Sequence, residues 1–134
     1  PGMAVELIAD CVHVHPALLG DTTRLKPGQF VLVTDSMAAA AADDGDYTLG
    51  PLAVEVRDGV ARVAGTDTIA GSTLTLDKAV RLCVTEAGVG LPEAVAAATR
   101  VPADLLGRPD LGPPRTRHPG RPRGPRRRPA GGRS

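Results

Sequence analysis

The sequence predicts an α/β fold, because short apolar strands alternate along the chain with helical segments. Two strand candidates, residues 5–10 and 29–35, are apolar runs of the length and β-branched content expected of parallel strands that are buried on both faces. Between them, residues 16–26 begin with a proline at a first helical position and stop at Pro27-Gly28. Strand, helix and strand in this order predict one βαβ unit.

The pattern changes after a loop of small residues at 37–45. Residues 52–56 and 60–63 are short strands that flank Arg57-Asp58-Gly59, and an Asp-Gly pair between apolar runs is a strong hairpin signal. We therefore expect a small antiparallel excursion from the α/β body.

Helices are predicted to follow the hairpin. Ser72 or Thr73 caps a helix that runs to about residue 86 and is ended by Gly88. Spacing of three to four residues predicts one apolar face, which consists of Leu76, Val80 and Val84. Two shorter helices are expected over residues 92–99 and 103–106.

Length and composition place limits on the class of protein. The chain has 134 residues, 42% hydrophobic and 23% charged, which is enough for one domain. No apolar run approaches the roughly 20 residues that span a bilayer, and the first residues do not form a basic segment followed by an apolar one, so we expect neither membrane insertion nor secretion. Cys11 and Cys83 lie outside any metal or disulfide spacing pattern, which favours a reducing, cytoplasmic location. Because the first residue is Pro1 and not Met, we expect either that the chain is processed or, more simply, that it begins within a longer reading frame.

The two parts of the chain differ in charge. Residues 1–107 carry 7 Lys/Arg against 14 Asp/Glu, whereas residues 108–134 carry 9 Arg against one Asp. The second stretch is rich in Pro and Gly and almost free of large aliphatic side chains, so we expect it to be a disordered tail. Its guanidinium groups raise the alternative of a nucleic-acid-binding adaptor. The acidic body and the lack of aromatic residues in the tail argue against that alternative.

The tail also has the composition of a GC-rich gene translated in a shifted frame, because Arg, Pro and Gly codons begin with CG, CC and GG. A shift near residues 111–114 permits a translation that contains a polar turn and an apolar strand. We therefore expect the tail to be a shifted frame, which the nucleotide sequence would decide.

Polar residues follow both strand candidates, where parallel sheets place their chemistry. The functional interpretation is that His13, after the first strand, and Asp35, after the second, project into one cleft. The alternative is that Asp35 only caps a loop and that His13 is a partly buried surface residue. His13 and His15 are two apart and could share a metal on an extended strand. Residues 69–73 open into a helix N-terminus, which could hold an anion or be a plain cap.

Four ordered motifs together resemble one family. They are residues 6–16 (ELIADCVHVHP), 32–37 (LVTDSM), 46–50 (DYTLG) and 69–75 (IAGSTLT). These stretches resemble the C-terminal part of the N-acetylglucosamine-6-phosphate deacetylases, which belong to the amidohydrolase superfamily. The resemblance covers residues 5–107. It implies that these residues form the last two strands of a TIM-like (β/α) barrel and the helices that follow them, and that the hairpin is an excursion from this barrel.

The resemblance also implies roles for particular residues. Asp35 would be the catalytic carboxylate, which takes a proton from a metal-bound water and later delivers it to the leaving amine. His13 would orient the substrate amide and polarise its carbonyl. Ala70, Gly71 and Ser72 would bind substrate, mainly through their backbone. The family uses a divalent metal such as zinc, which makes hydroxide available at neutral pH.

Departures from the family limit what this chain is expected to do. Cys11 stands where the family usually has Gly, and a side chain there could strain the turn. The family's metal ligands, a Glu and two His, have no match here, so we expect residues 1–107 to be the C-terminal part of a barrel domain that is inactive alone. The substrate would be an amino-sugar phosphate, with no membrane partner, while the oligomeric state stays open. Another amidohydrolase, dihydroorotase-like or adenosine-deaminase-like, is the alternative enzyme.

Overall fold

The structure is a computed structural model that describes residues 3–111. Of the predicted tail, only residues 108–111 fall within the described part, and the rest lies outside it. The elements in chain order are β1 (Val5–Ile8), α1 (Pro16–Leu25), β2 (Phe30–Val33), β3 (Gly45–Leu49), β4 (Leu52–Arg57), β5 (Val60–Val63), α2 (Leu76–Thr85), α3 (Leu91–Ala98), α4 (Arg100–Leu105) and a 3-10 helix (Pro109–Leu111).

The predicted βαβ unit is confirmed. β1 and β2 pair in parallel from Val5 opposite Phe30 to Ile8 opposite Val33, and α1 connects them. Three of the four β2 residues are buried, but in β1 only Leu7 is buried and Glu6 is exposed. The prediction that both strands are buried on both faces is therefore wrong for β1, because the face that carries Glu6 is exposed while the face that carries Leu7 is buried.

The partial barrel that the resemblance implies is not confirmed by the described residues. They contain two small sheets, one with the parallel pair and one with β3, β4 and β5 in antiparallel order. The α/β class holds, and the barrel remains an expectation about a longer protein.

The predicted hairpin is confirmed and has an unpredicted third strand. Asp58 and Gly59 both have positive φ, 52° and 70°, as a tight two-residue turn between twisted strands requires. β3 pairs with β4 along its whole length. The carboxylate of Asp44, just before β3, accepts hydrogen bonds from the backbone N–H groups of Asp58 and Gly59 and ties the strand to the turn.

Helix α2 begins later than predicted, and its buried face is centred on residues next to those predicted. Its N-cap is Thr75, because Ser72 and Thr73 direct their side chains to carbonyl oxygens elsewhere. The buried residues are Ala79 and Cys83, while Leu76 is 38% exposed. Small side chains allow the helix to lie close to the sheet, and Val80 and Val84 pack at the sides of that contact. The helix ends before Gly88, as predicted.

Two hydrophobic cores result. The first lies between the parallel sheet and the helices and contains Phe30, Leu19, Leu32, Leu74 and Cys83 among others. The second covers one face of the antiparallel sheet and consists of Met37, Ala39, Val54, Val56, Ala61 and Ala70. The segments that follow β2 and β5 pass between these cores, and they carry most of the predicted site residues.

Candidate functional site

Asp35 lies two residues beyond β2 in a conformation that neighbouring hydrogen bonds define. Its φ is +48°, in the left-handed region that Asp tolerates better than most residues. The N–H of Ser72 donates to the carbonyl oxygen of Asp35, and the N–H of Met37 donates to the carbonyl oxygen of Ser72, both at 2.9 Å. The Ser72 hydroxyl donates to the carbonyl oxygen of Thr34. Bonds to one residue therefore hold the backbone on both sides of Asp35.

Gly71 makes the close approach of these two segments possible. Its φ is +66°, and a Cβ built at this position would lie 3.3 Å from the carbonyl oxygen of Asp35 and 3.5 Å from Cβ of Met37. A side chain would therefore press on the backbone that carries the carboxylate. The sequence-predicted residues Asp35 and Gly71 are thus brought into direct contact.

The side chains of Ala70 and Ser72 are buried and already have partners. Ser72 is 2% exposed, and its hydroxyl oxygen also accepts a hydrogen bond from the N–H of Leu74 at 3.2 Å. Ala70 belongs to the second core. A ligand contact of these two residues would therefore involve mainly backbone atoms, and their role in binding stays a prediction.

His13 lines a cavity of about 160 Å³ together with Gly71 and Ser72. Nδ1 of the ring lies 2.7 Å from Oδ2 of Asp10, which lines the same cavity. Pockets for drug-sized ligands measure about 300–1,000 Å³, so this cavity is smaller than a complete pocket of that kind. Asp35 is not among the residues that line it, and its side chain is exposed. The expectation that His13 and Asp35 share one cleft stays a prediction.

Asp10 is a residue that sequence reasoning did not assign to the site. Its side chain is 11% exposed, and Oδ1 accepts hydrogen bonds from the N–H groups of Val12 and His13, both at 2.9 Å. Burial raises the pKa of the Asp10 carboxyl, but the hydrogen bonds from His13 and Val12 favour the charged form and leave the pKa below its ordinary value. Asp10 is therefore a carboxylate at neutral pH, held against His13.

His15 and Cys11 flank His13 and have different functions in the fold. Nδ1 of His15 accepts a hydrogen bond from the N–H of Ala17 at 3.2 Å, so His15 caps α1. Cys11 has φ +63°, which confirms the prediction of a turn that would suit glycine. Neither cysteine is in a disulfide, and burial raises the pKa of the Cys83 thiol to about 11.

A catalytic metal needs several His, Cys, Asp or Glu ligands in one place. Within residues 3–111, no three such side chains come together as a metal-binding group. The donor groups of this part of the chain therefore do not fit the family's metal. Among the helices of the same residues, none is both long and apolar enough to cross a bilayer.

Comparison with known proteins gives close relatives, although no protein-family model matches the chain. The N-acetylglucosamine-6-phosphate deacetylase of Danio rerio is 40% identical over 109 residues, which are 80% of this chain and 27% of that protein. The N-acetylgalactosamine-6-phosphate deacetylase of Escherichia coli O157:H7 is 45% identical over 103 residues, 77% of this chain and 27% of that protein.

A solved structure gives the same result. A mutant of the N-acetyl-D-glucosamine-6-phosphate deacetylase of Mycobacterium smegmatis, in complex with N-acetyl-D-glucosamine-6-phosphate, superposes with a TM-score of 0.74 at 48% identity. The match covers 79% of this chain and 29% of that one. This chain is therefore a homologue of the N-acetylglucosamine-6-phosphate deacetylases and spans little more than a quarter of their length, consistent with a C-terminal segment.

Proposed function

We propose that this chain supplies the C-terminal part of the active site of an amino-sugar-phosphate deacetylase. The observation that carries the proposal is the set of hydrogen bonds by which Ser72 fixes the backbone on both sides of Asp35. A left-handed, non-glycine residue at the end of a parallel strand costs free energy, and such conformations cluster at functional sites. The relatives are named as deacetylases of amino-sugar phosphates, and this indicates the reaction and the class of substrate.

In this reaction the carboxylate of Asp35 acts as general base and then as general acid. It takes a proton from the water that attacks the acetamide carbonyl carbon, and it returns that proton to the amine nitrogen as the C–N bond breaks. The products are acetate and the amino-sugar phosphate. His13 holds the amide group, and Gly71 and Ser72 shape the wall of the site through their backbone.

The isolated chain is expected not to catalyse this reaction. Its parallel sheet has two strands, and residues 3–111 provide no metal-ligand group. In the complete protein, we propose, β1 and β2 are the last two strands of a barrel whose earlier strands bring the metal ligands. Incubation of the chain with zinc and N-acetylglucosamine 6-phosphate is therefore expected to release no acetate, and acetate release would contradict this part of the proposal.

A chimera tests the proposal directly. Residues 5–107 replace the matching part of the unmutated Mycobacterium smegmatis deacetylase, which is 47% identical, and acetate release is measured with both N-acetylglucosamine 6-phosphate and N-acetylgalactosamine 6-phosphate. We expect the chimera to be active and the ratio of the two rates to show which sugar the segment favours. A chimera that folds and is inactive with both sugars would contradict the proposal.

Two variants of the chimera separate chemistry from folding. Asp35→Asn keeps the shape of the side chain and removes the base, so we expect kcat to fall about 100-fold to 10,000-fold. Asp21→Asn is the matched control, because Asp21 is an exposed carboxylate of α1 that pairs with Arg24 on the surface. We expect the control to keep full activity. An Asp35→Asn chimera with unchanged kcat would exclude Asp35 as the general base.

A further inference from the structure

The contact between Asp10 and His13 decides which ring nitrogen is left for a ligand. Oδ2 of Asp10 lies 2.7 Å from Nδ1 of His13, while Oδ1 is occupied by the N–H groups of Val12 and His13. An ionised carboxylate has no hydrogen to donate, so it can only accept. The hydrogen between the two side chains must therefore lie on Nδ1.

A neutral imidazole has one hydrogen, and if Nδ1 carries it, Nε2 carries a lone pair. We propose that Asp10 is a positioning residue that keeps the hydrogen of neutral His13 on Nδ1, so that Nε2 accepts a hydrogen bond from an N–H group of the ligand in the cavity. The inference rests on the proposed function in one respect, which is that this N–H belongs to the acetamido group of the substrate.

This inference changes the role expected of His13. A neutral ring in this tautomer cannot donate to the carbonyl oxygen of the amide, so it orients the substrate through the N–H side. Polarisation of the carbonyl requires a second proton on the ring, and the charge of that proton is balanced by Asp10. The other charged groups that line the cavity are Asp58 and Lys78, and Asp10 is the one that is hydrogen-bonded to the ring.

Nuclear magnetic resonance of the 134-residue chain tests the inference without any turnover. Two-bond proton–nitrogen correlations of the imidazole rings, recorded at mildly alkaline pH, show which nitrogen carries the hydrogen. We expect Nδ1–H to exceed Nε2–H in His13 by about tenfold or more, the preference that a charge-assisted hydrogen bond supplies. His15 is the internal control: its Nδ1 accepts from Ala17, so it must carry its hydrogen on Nε2.

Asp10→Asn provides the decisive variant. If the amide oxygen keeps the two backbone hydrogen bonds, the NH₂ group faces Nδ1 and donates to it, which moves the hydrogen of His13 to Nε2. We expect the tautomer ratio of His13 to invert and that of His15 to stay unchanged. Asp10→Ala has neither acceptor nor donor, and its His13 ratio should approach that of the chain unfolded in urea.

Two results would overturn the inference. One is a wild-type His13 whose hydrogen lies on Nε2 or whose ratio equals that of the urea-unfolded chain. The other is an Asp10→Asn variant with the wild-type ratio. The outcome is independent of the chimera assay: an inactive chimera with the expected tautomer contradicts only the proposed function, and an active chimera with the opposite tautomer contradicts only the role of Asp10.

Discussion

Replacement of Gly71 by alanine tests whether the segment around it holds the backbone of Asp35. A residue with a side chain at φ +66° costs about 1–2 kcal/mol in the left-handed region. The added Cβ would also lie 3.3 Å from the carbonyl oxygen of Asp35 and 3.5 Å from Cβ of Met37, so these groups must move apart. Overpacking of this kind costs about 1–3 kcal/mol. Gly71→Ala is therefore expected to lower the free energy of unfolding by about 2–5 kcal/mol.

Gly65→Ala is the matched control. Its φ is +73°, but nothing lies within 4 Å of the Cβ that would be added. Gly65→Ala should therefore lower the free energy of unfolding by only the cost of the left-handed backbone conformation, about 1–2 kcal/mol. Urea unfolding of both variants and of the wild-type chain, followed by circular dichroism and extrapolated linearly, gives the three free energies. The difference between the variants isolates the contact with Asp35 and Met37.

Equal destabilisation by the two substitutions would refute the reasoning, because the close approach at Gly71 would then have no energetic consequence. The chimera adds a functional readout. There, Gly71→Ala should lower acetate release more than Gly65→Ala does, since only the first moves the Asp35 backbone. A chimera in which both variants have the same activity would show that the position of Asp35 does not depend on this contact.

Three further predictions concern stability. Cys11→Gly should raise the free energy of unfolding by about 1 kcal/mol, because Cys11 has φ +63°, which glycine adopts without a steric cost. Urea unfolding measures this gain, and an unchanged unfolding midpoint would contradict the prediction. The pKa of the Asp10 carboxyl in the folded chain lies below its ordinary value of 3.8. The ionised carboxylate therefore stabilises the fold fully at neutral pH, and this stabilisation is lost as the pH falls below about 3.8 and through the folded pKa. Stability measured against pH should therefore fall less steeply in Asp10→Asn, and parallel curves would exclude this contribution. Phe30→Ala should cost about 3–5 kcal/mol because the ring is fully buried, whereas Leu25→Ala, 80% exposed, should change stability by less than about 0.5 kcal/mol; similar losses would contradict the core assignment.

The fold could be predicted where one segment carries its own signal. The apolar runs of β1 and β2 and the Asp58-Gly59 turn are local patterns, and each matches an element of the structure. β3 was not predicted because its residues are mostly exposed and polar, so its sequence has no alternation of apolar and polar residues that would indicate a strand. The strand forms because it pairs with β4. The buried face of α2 was misplaced because large residues were given more weight than Ala79 and Cys83, which the neighbouring elements cover.

The candidate site follows from a rule about sheets. Chemistry commonly lies at the carboxyl ends of parallel strands, which is why His13 and Asp35 are the candidates, and their roles stay predictions. The position of Asp10 beside His13 depends on hydrogen bonds from its carboxylate to residues two and three positions further along the chain. A search for hydrophobic periodicity does not detect such bonds. An Asp that begins a turn is nevertheless a recognised signal, since its carboxylate commonly accepts from the N–H two residues on. That signal could have identified Asp10.

The two cores and the candidate site depend on each other. Met37 and Ala70 belong to the core of the antiparallel sheet, yet the hydrogen bonds between Met37, Ser72 and Asp35 are also what fixes the end of β2. The left-handed conformation of Asp35 persists only if surrounding contacts compensate its cost. Because those contacts come from a segment that the antiparallel sheet anchors through the hydrogen bond from the N–H of Ala70 to the carbonyl oxygen of Ala61, this sheet helps to hold the Asp35 backbone in place. A loss of packing at Val54 or Val56 should therefore reach Asp35 through Ala70 and Ser72 rather than through the strand that carries it.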